Sequence, residues 1–156
     1  MDSPFRILLV DDDRELHRIY EETFRLHFEN IVVLSHCFGP SQLAAAITSE
    51  DPHIIILDQM FPSGERGTEL ISSIHGLNSS ILVILNSAFG NEQLASDALD
   101  AHADEYVVGS KLDINVLLER VEEAMEKVGG NSVLDEMGTV LTLKVNGIRP
   151  TNLPSP

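Results

Sequence analysis

The segment His53–Pro62 reads HIIILDQMFP. Its apolar part is continuous rather than alternating, which suits a strand covered on both faces, as in a parallel sheet. The run ends directly on an acid, Asp58. Working outward in both directions, comparable runs recur at Phe5–Val10 (FRILLV), Ile31–Leu34 (IVVL), Ile81–Leu85 (ILVIL) and Glu105–Val108 (EYVV). Asp11, Asp12 and Asp13 follow the first of these, Asn86 and Ser87 follow ILVIL, and Gly109, Ser110 and Lys111 follow EYVV.

Segments of helical period lie between the runs. Leu16, Ile19, Tyr20, Thr23, Phe24 and His27 follow the spacing of one helix face. Weaker versions appear at Leu43, Ala44 and Ile47, at Leu70, Ile71 and Ile74, and at Leu94, Ala95 and Ala98. A longer one runs through Leu117, Val121, Ala124, Met125 and Val128. Ser41, Thr68, Asn91 and Asp113 are helix-start residues by type, and Gly76 and Gly129 are stops. Five strand–helix pairs predict a doubly wound α/β domain over residues 1–128, with a five-stranded parallel sheet and helices on both faces through right-handed crossovers. In such folds chemistry gathers at the C-terminal ends of the strands, beside the switch in strand order.

Composition narrows the function. The 156 residues suffice for one domain with a core and an appendage. Ten Lys and Arg stand against 25 Asp and Glu, a formal net charge of −15, which repels phosphate backbones and anionic lipid and argues against direct nucleic-acid or membrane binding. At 43% hydrophobic residues the chain is too apolar for an acidic disordered tail. Its apolar runs are far too short to span a bilayer, and the N-terminus lacks the basic region of a secretory signal. Cys37 is the single cysteine, which excludes an internal disulfide and suits a reducing cytoplasm. The whole charge imbalance falls within residues 1–130, and no Lys or Arg occurs from 26 to 65 or from 67 to 110.

If the first and third strands are neighbours, Asp58 converges on Asp11 and Asp12. Two carboxylates ~4 Å apart repel by ~4 kcal/mol at an effective dielectric near 20. Three such acids offer no packing, so they call for a divalent cation, a raised pKa or a lysine. Oxygen-only ligands suit Mg²⁺ or Mn²⁺ rather than Zn²⁺. Asp13 instead reads as an acid at the start of the first helix.

The succession ILLVDDD, HIIILDQMFP, ILVILNSA and EYVV resembles the receiver domain of two-component response regulators, over about residues 4–128. The resemblance implies a flavodoxin-like (βα)5 fold in which Asp58 accepts a phosphoryl group from a histidine kinase or phosphotransfer protein. It further implies that Asp11, Asp12, Asp58 and the backbone carbonyl of Met60 hold Mg²⁺ (or Mn²⁺), that Ser87 hydrogen-bonds the phosphoryl oxygen, and that Tyr106 is the aromatic that turns inward on activation. Such a protein is not an enzyme beyond catalysing its own phosphorylation and dephosphorylation. It acts by switching a protein partner at the face of the fourth helix, fifth strand and fifth helix, and a homodimer is compatible with this. The alternative is a pseudo-receiver, a docking module independent of phosphorylation. A phosphatase on a similar fold needs a second carboxylate two residues after the nucleophile, where this chain has Met60.

Two departures from the family pattern concern cations. The family places Lys three residues after the aromatic, followed by Pro; here Gly109 and Ser110 intervene and Lys111 comes two positions late. Lys111 is still the one lysine near a strand end, so it is expected to serve the phosphate. The stretch SGERG also lengthens the loop before Gly67 and puts Arg66 in it, where a guanidinium could approach the acids as a substitute, although a surface role fits the position more simply. Met60 and Phe89, two residues beyond Asp58 and Ser87, are apolar and offer no general base, which predicts a slowly self-hydrolysing phosphoprotein.

The six histidines show no metal-ligand spacing and read as structural or surface residues. Residues 129–156 form a short C-terminal extension. Within it 139–145 (TVLTLKV) alternates as a half-buried strand, followed by a linker-like end with no room for an effector domain and no basic recognition helix.

Overall fold

The computed structural model describes residues 3–88, 92–108 and 114–133. Strands β1 (Phe5–Val10), β2 (Val32–Cys37), β3 (Ile54–Asp58), β4 (Leu82–Ser87) and β5 (Glu105–Val108) alternate with helices α1 (Arg14–Phe28), α2 (Leu43–Glu50), α3 (Gly67–Leu77), α4 (Glu92–Asp100) and α5 (Asn115–Val133). The sheet is parallel in the order β2-β1-β3-β4-β5, so the order reverses between β1 and β3.

The continuous apolar runs place successive side chains on opposite faces. Ile7, Leu9, Ile54 and Ile56 join Tyr20, Phe24 and Phe28 of α1 and Leu117, Val121 and Met125 of α5 in one core. Leu8, Val10, Ile55 and Leu57 join residues of α2, α3 and α4, such as Ile47, Ile71 and Ala98, in the other. β3 is buried along its whole length. No helix of the described residues is long and apolar enough to cross a membrane.

Several local expectations need correction. The buried stripe of α1 is Leu16, His17, Tyr20, Phe24 and Phe28, while Ile19 is 45% exposed. Tyr20, Phe24 and Phe28 recur every four residues and pack ring on ring, which turns Ile19 to the flank. Strand β2 starts one residue later than expected and runs three further, because Glu29–Ile31 coil into a 3₁₀ turn. Ser41 lies in a second such turn, Pro40–Gln42, and α2 starts after it. Helix α3 starts at Gly67 rather than after Thr68, with Arg66 preceding it. Gly129 does not stop α5, which continues to Val133. Extending an existing helix adds a hydrogen bond per residue, which offsets the ~1 kcal/mol that glycine costs there. The expected strand at 139–145, together with Phe89, Asn91, Lys111 and Asp113, lies outside the described residues.

Asp13 caps α1: its carboxylate accepts from the backbone N–H of Glu15 (3.0 Å) and Leu16 (3.2 Å). Asp13→Ala should lower stability by ~1 kcal/mol and Asp13→Asn by less, because the amide oxygen can still accept. Urea denaturation with an unchanged slope checks this; equal losses for both would point to charge rather than the cap.

Candidate functional site

The site lies where the strand order reverses. β1 and β3 run side by side with Val10 opposite Leu57, so their next residues, Asp11 and Asp58, emerge together at one end of the sheet. One carboxylate oxygen from each of Asp11, Asp12 and Asp58 lies within 4.8 Å of the other two. Asp11 is 1% and Asp58 6% exposed, while Asp12 is open to solvent. The oxygen-only donors, their concentrated negative charge and the partial burial fit a hard divalent cation such as Mg²⁺.

Neighbouring groups fix these acids. Asp11 Oδ1 accepts from the Asp13 N–H at 2.9 Å, and the Asp11 N–H donates to the Cys37 carbonyl at 3.1 Å. Asp58 Oδ1 accepts from the N–H of Gln59 at 2.9 Å. Gly67 seals the β3 end from the far side of the loop: its N–H donates to the Gln59 carbonyl at 2.8 Å, and Met60 and Arg66 form an antiparallel bridge across the loop base. Ser87, 3% exposed, ends β4, and Asn86 stands beside Asp58 in the ladder. Met60 is 61% exposed at the mouth. Tyr106 lies in β5 opposite Leu85, and its side chain is outside what the structure describes.

Three supports have no motif in the sequence. Buried Gln59 reaches over to α3, where its Oε1 accepts from the Thr68 N–H at 3.0 Å and caps the first turn. The Asn86 amide donates to the Tyr20 hydroxyl at 3.1 Å, tying β4 to α1 behind the site. His17 backs Asp11. Its Nε2 lies 2.7 Å from the Asp11 carbonyl, its Nδ1 lies 2.7 Å from Nδ1 of His36, and His36 Nε2 lies 2.8 Å from a Glu21 carboxylate oxygen. A carbonyl only accepts, so His17 Nε2–H donates to it. A neutral His17 then accepts at Nδ1 from His36 Nδ1–H, and His36 Nε2 faces the Glu21 carboxylate. Burial, above all, lowers the His17 pKa, which keeps that ring neutral. Burial likewise raises the pKa of the Cys37 thiol, making it a packing residue rather than a reactive one.

Residues 7–122 match the family model for the response regulator receiver domain. The chain belongs to that family. The receiver is 27% identical over 125 residues to the C4-dicarboxylate transport transcriptional regulatory protein DctD of Pseudomonas aeruginosa, an alignment that takes in 80% of this chain but only 26% of that protein. Among solved structures it resembles a CheY-like receiver domain protein from Methanospirillum hungatei (TM-score 0.70, 23% identity, 83% of this chain and 100% of that one). It also resembles the signal receiver domain of a putative Luxo repressor protein from Vibrio parahaemolyticus (TM-score 0.73, 21% identity, 84% and 97%). Those likenesses are of fold; the receiver's acid cluster is an observation on its own residues.

Proposed function

We propose that this receiver is a phosphoacceptor switch whose acceptor is Asp58. The observation that carries the reading is the convergence of Asp11, Asp12 and Asp58 at the strand-order switch, with the Ser87 hydroxyl on the adjacent strand end. An oxygen of the Asp58 carboxylate attacks the phosphorus of a phosphohistidine on a histidine kinase or phosphotransfer protein. The P–N bond breaks, and its electron pair stays on the imidazole nitrogen, which takes up a proton. Asp11, Asp12, Asp58 and the Met60 carbonyl would hold a divalent ion, which would neutralise charge on the transferring oxygens. Ser87 donates a hydrogen bond to the product, and Lys111, three residues after the last residue of β5 in the sequence, contributes a cation.

Residues 1–128 carry the switch in this reading, and 129–156 are an extension. Phosphorylation alters the face of α4, β5 and α5 around Tyr106, where a downstream protein or a second copy docks, in the cytoplasm. The test is intact mass after incubation of the chain with a small-molecule phosphodonor and Mg²⁺. A gain of one phosphoryl group, abolished by chelator, supports the switch. No gain points to a pseudo-receiver that docks without phosphorylation.

The phosphoryl group should also be long-lived. Met60 presents a thioether at the mouth, and no carboxylate or amide at that position can orient water. Following the decay of the phosphorylated mass in Mg²⁺ buffer should give a lifetime of minutes or more; decay within seconds would count against shielding by Met60 and Phe89.

A further inference from the structure

The loop between β3 and α3 carries a charge that the fold leaves uncommitted. Four arginines pair with acids: Arg6 with Asp51, Arg18 with Glu15, Arg25 with Glu22 and Arg120 with Glu123. Arg14 stacks its guanidinium over the Phe38 ring, 3.9 Å from the centroid. The Arg66 guanidinium forms no ion pair among the described residues, although the chain holds 25 acids.

Its backbone, by contrast, is tightly placed. The Arg66 N–H donates to Glu69 Oε1 at 3.0 Å, its neighbour Gly67 donates to the Gln59 carbonyl, and Arg66 itself bridges Met60. The side chain therefore starts from a fixed point beside the two residues that follow Asp58. It lines a cavity of about 300 Å³ together with Gln59, Met60 and Ser87 on the strand ends and Gln93, Leu94 and Asp97 on α4. The cavity thus joins Arg66 to Ser87, the hydroxyl that faces the phosphoryl group in the reading above.

We propose that Arg66 is a phosphoryl-binding cation of this site, reaching the oxygens of phosphorylated Asp58 through that cavity. The proposal rests on Asp58 being the acceptor and adds a residue to it. A guanidinium suits the task because its planar fork matches two phosphoryl oxygens at once. Asp97, across the cavity, is the competing anion. It already accepts from Gln93 Nε2 at 2.8 Å and carries one charge, whereas a phosphoryl group offers up to two and three acceptor oxygens. Phosphorylation would then draw Arg66 toward Asp58 and away from α4, giving the helix a direct report of the site's state.

The test is calorimetric titration of the full chain with beryllofluoride, a mimic of the phosphoryl group on a carboxylate, in Mg²⁺, beside a titration with Mg²⁺ alone. Arg66→Gln should weaken beryllofluoride binding ~10-fold or more, with Arg66→Lys intermediate because one point charge replaces the fork. Mg²⁺ affinity should stay level or tighten, since a nearby positive charge has been removed. Equal beryllofluoride affinity in wild type and Arg66→Gln would overturn the role of Arg66 and leave the phosphoacceptor reading standing. Parallel loss of both affinities would also overturn it, as damage to the acid cluster. Wild type that binds no beryllofluoride would remove the phosphoacceptor reading, and Arg66 with it.

Discussion

Asp58→Asn should abolish the phosphoryl gain completely while making the metal-free protein more stable. The first effect is chemical: an amide oxygen is a poor nucleophile toward phosphorus, and neither Asp11 nor Asp12 lies at the end of β3. The second is electrostatic. At 4.8 Å and an effective dielectric near 20, two ionised carboxylates repel by ~3 kcal/mol before screening, and exposure of Asp12 cuts that further. Removing one charge from the three should therefore raise stability without divalent ion by ~1–2 kcal/mol. Packing is spared, because Asn keeps an oxygen to accept from the Gln59 N–H. Stability gained from added Mg²⁺ should fall in step, since bound ion stabilises by its occupancy of the folded state. Denaturation of wild type and variant with and without Mg²⁺ reads all of this. A variant less stable in both conditions would show that the Asp58 charge is held by the fold rather than by a metal.

The convergence of these acids was legible in the sequence because only strand order was needed to bring them together. Continuous apolar runs identify buried parallel strands, and the residue after each run lands at the same end of the sheet. Contacts that depend on register or helix rotation were not legible. His17 and His36 are nineteen residues apart, on α1 and β2, and meet only because α1 crosses back over the sheet at one particular angle. Asn86 and Tyr20 meet by the same accident of packing. Ile19 looked like a core residue on spacing alone, but three aromatic rings at four-residue intervals took the sheet-facing stripe. Gln59 could have been suspected as a polar residue between Asp58 and a hydrophobic pair, yet nothing local says that it caps a helix nine residues on. Gly129 carried a genuine stop signal, and helix propagation overrode it.

Gly67→Ala should be among the most damaging single changes in the receiver, and Gly76→Ala, in the same helix, should be harmless or stabilising. A Cβ at Gly67 would stand 2.2 Å from the Asp58 carbonyl oxygen and 2.9 Å from Leu85 Cδ1. The leucine tip can rotate; the carbonyl belongs to the last residue of the most deeply buried strand and cannot. Nor can α3 simply retreat, because the Gly67 N–H bond to Gln59 and the Met60–Arg66 bridge tie its start to the end of β3. Relief therefore costs either those bonds or a shift of Asp58 itself, a loss of ~3 kcal/mol or more. The shift should also show in function: whatever variant folds should bind Mg²⁺ more weakly and accept phosphoryl more slowly. At Gly76 an added Cβ meets nothing within 4 Å, and alanine restricts the unfolded chain, so a gain of ~0.5–1 kcal/mol is expected. Urea denaturation of the two variants side by side decides the matter. A loss at Gly67 under ~1 kcal/mol would mean that the loop before α3 gives way easily, and Asp58 would then owe its position to the acids around it rather than to the helix behind it.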